Sequence, residues 1–331
     1  MTIFRTLLLL GLLVNGIAQG TTLKIATLSP EGSVWMTLLR EGAKQIESET
    51  AERVKFKFYP GGVMGDDKAV LRKIRVGQLH GAVITAGGLV QKYNDIGLYN
   101  MPMAFRSLEE VDYVRERMDP VLMDGLENKG FVSFGIAEVG FAYAMSKAAL
   151  SSVDDVQAQK VWVPDNDPGS ARALAAFEIA PIPLSIADVL GGLQTGLINS
   201  VAVPPVGAII LQWHTQLEHV LDLPLLYIYG LLTVNKRQFE RLSVQDQEVV
   251  RRVMGEQVAQ VNARSRRDHE QASEALVRQG LIWHAAPEQH VNEWRSYASA
   301  AAQRLIDEGF VSQELYQTML QHLGDYRAAL D

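Results

Sequence analysis

From Leu23 onward the apolar positions switch between two periods. Leu23–Leu28 is a short apolar run, and the stretch after it places Val34, Leu38, Leu39, Ala43 and Ile46 at helical spacing. Val54–Tyr59 alternates with period two, Phe56 and Phe58 on one face and Lys55 and Lys57 on the other, until Pro60-Gly61-Gly62 stops it. Asp66 or Asp67 then caps a helix running to Val76, and Ala82–Thr85 reads as a buried strand. Strand, helix, strand at this rhythm predicts an α/β fold with a mainly parallel sheet and helices on both faces.

The rhythm restarts further on. Phe131–Glu138 and Phe141–Met145 read as strands that cross a boundary, and Lys160–Pro164 is a strand closed by Pro-Asp-Asn-Asp-Pro-Gly. A helix Ser170–Phe177, a short strand around Ile182, a helix from Ser185 to Gly196, strand Ser200–Pro204 and a strand-like Leu223–Asn235 follow. These describe a second lobe of the same class, with the chain crossing between lobes more than once. The last hundred residues are mostly helical. Ser243 with Asp246 makes a capping-box start, and Ser243–Gln279 either bridges the lobes unbroken or bends at Gly255.

The N-terminus changes the picture of where this fold works. Arg5 precedes an apolar run Leu7–Leu13, and small residues Gly16 and Ala18 stand before Gln19, the order of a secretory signal peptide over residues 1–18. The run is too short to anchor the chain in a bilayer, so the mature protein is expected free in the periplasm. A net charge of −7 offers no basic excess for nucleic acid. The chain has no cysteine, which excludes disulfides, thiolate metal sites and a cysteine nucleophile.

Catalytic chemistry is not apparent. No pair of the seven histidines has metalloprotease spacing, and neither the Gly-x-Ser-x-Gly elbow nor a phosphate-cradling Gly-x-x-x-x-Gly-Lys-Ser/Thr is present. Acidic pairs such as Asp66–Asp67 and Asp154–Asp155 lie at helix starts, where the helix dipole accounts for them. No cofactor, metal or enzyme activity is predicted. What the chain does place at the carboxyl ends of predicted strands is aromatic: Trp35, Tyr93, Tyr99, Trp162 and Trp213.

Several blocks, in order, carry a resemblance over nearly the whole mature chain. They are Tyr59-Pro60-Gly61-Gly62-Val63-Met64-Gly65, Val76-Gly77-Gln78-Leu79, Met101-Pro102-Met103-Ala104-Phe105 and Lys160-Val161-Trp162-Val163-Pro164. Ala180-Pro181-Ile182-Pro183-Leu184 through Gly191-Gly192-Leu193-Gln194-Thr195-Gly196 is the most specific, and Leu232–Lys236 and Leu242–Gln247 follow. The set resembles the DctP-type substrate-binding subunits of tripartite ATP-independent periplasmic (TRAP) transporters. That resemblance implies a two-lobed periplasmic binding protein fold with a hinge and a long interlobe helix, closing on a small molecule and delivering it to TRAP membrane permease subunits. A monomer is expected, with lobe I over 19–141 plus 227–268 and lobe II over 142–226 plus 269–331, C-terminal helices included.

Departures from the family's pattern point to the ligand. Family members hold a substrate carboxylate with an arginine in the strand that here carries Trp162. A second arginine follows the Gly-Phe pair at the lobe crossing, where Gly140-Phe141 is here followed by Ala142. The family's Asp-Gly-x-Glu-x-Pro corresponds to Asn199–Pro204, with both acids gone and Ala202 in the place of the Glu. An indole cannot replace the planar guanidinium fork, so a neutral or largely apolar ligand is expected. Capture of a quaternary ammonium by Trp162 is a variant, and an organic acid anchored by another cation, Arg172 or Lys160, an alternative. A sensory or enzymatic protein on the same fold is a further alternative. The expected ligand-binding set is Trp35, Tyr93, Glu138, Ala142, Trp162, Asn166, Gln194, Ala202, Val203 and Trp213. Asn166 and Gln194 orient the ligand, and Glu138 pairs with Lys147 or a cationic ligand group.

Overall fold

The strands of the computed structural model, which describes residues 20–330, form where the apolar periods change. They are β1 (Thr21–Thr27), β2 (Val54–Tyr59), β3 (Gly81–Thr85), β4 (Phe131–Ser146), β5 (Trp162–Pro164), β6 (Ile182–Leu184), β7 (Ser200–Val203), β8 (His219–Asp222), β9 (Leu226–Asn235) and β10 (Ile282–Ala285). The expected signal peptide lies outside the described residues. Eight strands make one continuous sheet in the order β10-β8-β4-β9-β3-β1-β2, with β7 also on β4, while β5 and β6 pair separately.

The sheet is mixed, and this corrects the mainly parallel expectation. β1 is parallel to β2 and β3, β8 to β10, and β5 to β6. β9 runs antiparallel to both β3 and β4, and β4 antiparallel to β7 and β8. Parallel pairing holds where a helix returns the chain, as in the βαβ units around β1. β4 and β9 instead carry the chain from one lobe to the other and back, so they meet head to tail. β4 is one strand of 16 residues rather than two, with register shifts at Ser133/Ile136 and Glu138/Gly140. Gly135 and Gly140 adopt φ of +133° and +118° at these irregularities, where an L side chain would be strained.

Helix starts follow cap chemistry. Ser33 accepts from the Met36 N–H to start helix Val34–Glu49, and Asp66 accepts from Ala69 to start Asp67–Arg75. Ser243 accepts from Asp246 N–H to start Val244–Arg278, whereas the Asp246 carboxylate pairs with Arg53 rather than returning to its own cap. This helix is unbroken at Gly255 over 35 residues, about 52 Å. It gives Val250, Val253 and Met254 to the first-lobe core and Leu276 to the second.

The C-terminal helices divide between the lobes. Helix Glu288–Asp307 packs on Pro168–Ala176 in the second lobe. Helix Gln313–Ala328 packs instead on Leu108–Asn128 of the first lobe, which corrects the assignment of 269–331 to lobe II as a whole. It buries Met319 and Leu323 there, and a bidentate ion pair joins it to the first lobe, Arg327 Nε and Nη2 donating to the Glu110 carboxylate at 2.7 and 2.9 Å, with Tyr113 tilted against Tyr326.

Candidate functional site: an apolar cavity between the lobes

A cavity of about 300 Å³ lies where the two halves of the sheet face each other. The first lobe contributes Thr85 at the end of β3, Gly87 of the short helix after it, and the Asn100–Met103 segment. The second contributes β5, β7 and the helix Pro168–Ala176. Two indoles form one wall: Trp162 and Trp213 meet edge to face at 5.1 Å, and Trp162 Nε1 donates to the Leu184 carbonyl at 3.0 Å. That bond satisfies the only polar atom of the Trp162 side chain, so the ring presents carbon to the cavity.

Of the ten residues singled out from sequence, Trp162, Ala202, Val203 and Trp213 line this cavity. Six lie elsewhere. Trp35 packs in the first-lobe core, its ring over Gly230, because its helix turns that face onto the sheet. Tyr93 lies against Gly125 of Leu108–Asn128. Ala142 is fully buried in the β4–β9 ladder opposite Leu226. Gln194 is exposed near the end of helix Val189–Thr195. Asn166 spans the lobe junction, its Nδ2 donating to Asp67 Oδ2.

Glu138 is 1% exposed and paired, but not with Lys147, whose Nζ donates to the Leu193 carbonyl instead. Arg266 of the long helix reaches it through Nε and Nη2, at 3.3 and 3.2 Å, and the Tyr227 hydroxyl donates to it at 3.0 Å. Arg266 also forks onto Asp112. No ligand group is needed to compensate this carboxylate.

The electrostatics of the wall are one-sided. Among the described residues no Lys, Arg or His lines the cavity. Arg172 turns outward to Glu308 at 3.2 Å, and Lys160 Nζ is bound to the Gly196 carbonyl on the surface. Arg115, half-buried on helix Leu108–Asn128, is committed to Asp119, the Tyr227 hydroxyl and the Ile136 carbonyl. The single charged wall residue among the described residues is an acid, Asp167, which caps Pro168–Ala176 by accepting from the Ser170 N–H at 3.0 Å and its hydroxyl at 2.6 Å. Beside the junction, burial pushes the Asp67 carboxyl up to about 6, with Asp66 and Asp165 adding to the effect against the bond from Asn166.

Several wall residues escaped sequence reasoning. Met101 and Met103 sit in a block quoted for the resemblance, but Phe177 and Trp294 show only the spacing of packed helices, which does not separate a cavity wall from a core. Among the described residues no group of three or more His, Cys, Asp or Glu could hold a metal, and no helix is long and apolar enough to cross a membrane.

The family model of DctP, bacterial extracellular solute-binding protein family 7, matches residues 25–313. The 2,3-diketo-L-gulonate-binding periplasmic protein YiaO of Escherichia coli is 23% identical over 211 residues, 62% of this chain and 63% of its own. The chain spans between 48 and 63% of the length of the curated relatives it matches. The structure of a TRAP periplasmic solute-binding protein from Pseudomonas putida F1 with bound D-glucuronate is similar at a TM-score of 0.83 and 17% identity, covering 90% of this chain and 96% of that one. One from Haemophilus influenzae with bound L-gulonate gives 0.84 at 16% identity, covering 91 and 99%. With the model matched across both lobes and the same fold in these structures, the chain belongs to the DctP family, bacterial extracellular solute-binding protein family 7.

Proposed function

We propose that this chain is a periplasmic solute-binding protein that encloses an uncharged, largely apolar small molecule between its lobes and delivers it to the membrane subunits of a TRAP transporter. The observation that carries the ligand class is that no cationic side chain among the described residues lines the cavity wall. A carboxylate moved from water into such a wall loses several kcal/mol of solvation with no counter-charge, and Asp167 adds repulsion. The indole of Trp162, its N–H bonded to the Leu184 carbonyl, and the ring of Trp213 beside it offer area to an apolar solute instead. Relatives named for sugar acids, and structures holding uronates, favour an organic acid as the second reading.

Closure follows from where the walls come from. A solute touching β3 and Met101–Met103 on one side and β5 and β7 on the other makes its full contacts only when the lobes meet, so binding favours the closed form. Thermal melting and titration calorimetry against D-glucuronate and against uncharged terpenoid and alkyl compounds separate the readings. A solute at a hundred times its dissociation constant stabilises by about 2.7 kcal/mol, a rise of several degrees in a protein of this size. Uncharged compounds are expected to produce it and D-glucuronate is not. The reverse result would replace the apolar solute by an acid.

A further inference from the structure

The cavity does not end at the cleft between the lobes. Val156, Val161, Ala173, Phe177, Trp294 and Leu305 are also in its wall, each no more than 8% exposed and each part of the apolar core of the second lobe. Helix Pro168–Ala176 shows how the void is laid out. Asp167 and Ser170 stand at its first turn and Phe177 is its C-terminal cap. Both ends are cavity wall, so the void follows the helix for its nine residues, about 13 Å.

Polarity along this path is graded. At the junction end the Ser170 hydroxyl bonds the Asp167 carboxylate, Thr85 is also in the wall, and Gly87 approaches Asp167 so closely that a Cβ on it would lie 2.6 Å from Oδ2. At the far end the wall is carbon: the Phe177 ring lies 5.6 Å from Trp294, and Leu305 is also in the wall, with Ala173 midway along the helix. A rounded solute seated in the cleft would leave the space under the helix empty, and an empty apolar space forfeits contacts on every side that lines it.

We infer that the solute is linear, with an uncharged hydroxyl-like end at Thr85, Asp167 and Ser170 and an alkyl chain running under helix Pro168–Ala176 into the core of the second lobe. This rests on the solute-binding reading above and adds the shape and orientation of the ligand. Asp167 accepts the hydroxyl proton with the oxygen lone pairs its cap bonds leave free. Each methylene drawn under the helix adds affinity by the hydrophobic effect, until the chain meets Trp294 and Leu305.

Calorimetric titration of the purified protein with hexanol, octanol, decanol and the compact bicyclic alcohol borneol tests the shape, borneol having the carbon count of decanol. For the linear series the dissociation constant is expected to fall by about fourfold per added methylene, with borneol far weaker than decanol. Ala173→Phe, which blocks the path one turn beyond Ser170, is expected to weaken octanol and decanol far more than hexanol and so to cancel the gain between octanol and decanol. Phe177→Ala, which enlarges that end, is expected to extend the gain to dodecanol and carries the test alone should Ala173→Phe not fold. If borneol and decanol bind alike and neither substitution alters chain-length dependence, the linear solute is wrong and the apolar reading survives. If no uncharged compound binds and D-glucuronate does, both fall.

Discussion

Asn166 and Asp67, 99 residues apart in the chain, meet at 2.9 Å across the junction of the two lobes, the amide donating to the carboxylate. One residue away on each side, Lys68 Nζ reaches Asp165 Oδ2 at 3.1 Å. The exposed ion pair contributes little. The inner pair matters more, because Asp67 is 7% exposed and lies beside two further acids, Asp66 and Asp165.

Asp67 should make stability depend on pH in the direction opposite to a salt-bridged acid. Burial pushes its carboxyl from 3.8 to about 6, so the folded protein holds this proton more tightly than the unfolded chain. The ionised form therefore penalises folding above about pH 6, and the penalty is lifted as pH falls through 6 towards 4. Asp67→Asn keeps the acceptor for Asn166 and removes the charge. Melting curves of both proteins should show the variant more stable by about 1 to 3 kcal/mol near pH 7, with the advantage vanishing near pH 4. A constant difference would show that the charge is not the cause.

Arg266 is the partner that makes a buried Glu138 tolerable. Arg266→Ala leaves the Tyr227 hydroxyl as its remaining side-chain partner and is expected to cost about 3 kcal/mol in urea unfolding. Adding Glu138→Gln removes the stranded charge, so the double variant should be more stable than Arg266→Ala alone. A double variant showing the summed losses would argue that the two residues act independently.

Trp162 serves both packing and the cavity wall. Trp162→Ala is expected to cost about 3 to 5 kcal/mol, since it removes the edge-to-face partner of Trp213. Trp162→Phe keeps a ring and loses the bond to the Leu184 carbonyl, for about 1 kcal/mol. Chemical denaturation of the pair resolves the two contributions, and equal losses would show that the indole N–H dominates.

Gly81 begins β3 where the sheet has no room for a side chain. A Cβ there would fall on the Thr233 carbonyl oxygen, backbone that cannot rotate away. Gly81→Ala is expected to cost more than about 4 kcal/mol or to prevent folding, read from soluble yield and the urea midpoint. A near-wild-type midpoint would mean that β3 and β9 separate there without penalty.

Much of the local structure was legible because its causes are local. Val54–Tyr59 matches β2 residue for residue, and Asp66 caps its helix, since alternation and cap chemistry act within a few residues. Strand direction was not, because β9 enters the sheet between β3 and β4 from far along the chain. The same limit governed the site. Trp162 stood out by type and by the family's pattern and Trp213 by type alone, whereas the partner of Glu138 lies 128 residues away on the long helix. Trp35 carries the same signal as Trp162 but faces the first-lobe core, an orientation set by the turn of its helix.

The 35-residue helix has a consequence for how the molecule comes apart. Its first half completes one core through Val250 and Val253, and Leu276 completes the other. Neither lobe can lose order without stripping a wall from its neighbour. Differential scanning calorimetry should record one endotherm with equal calorimetric and van't Hoff enthalpies, so that damage to either lobe lowers the single melting point of both.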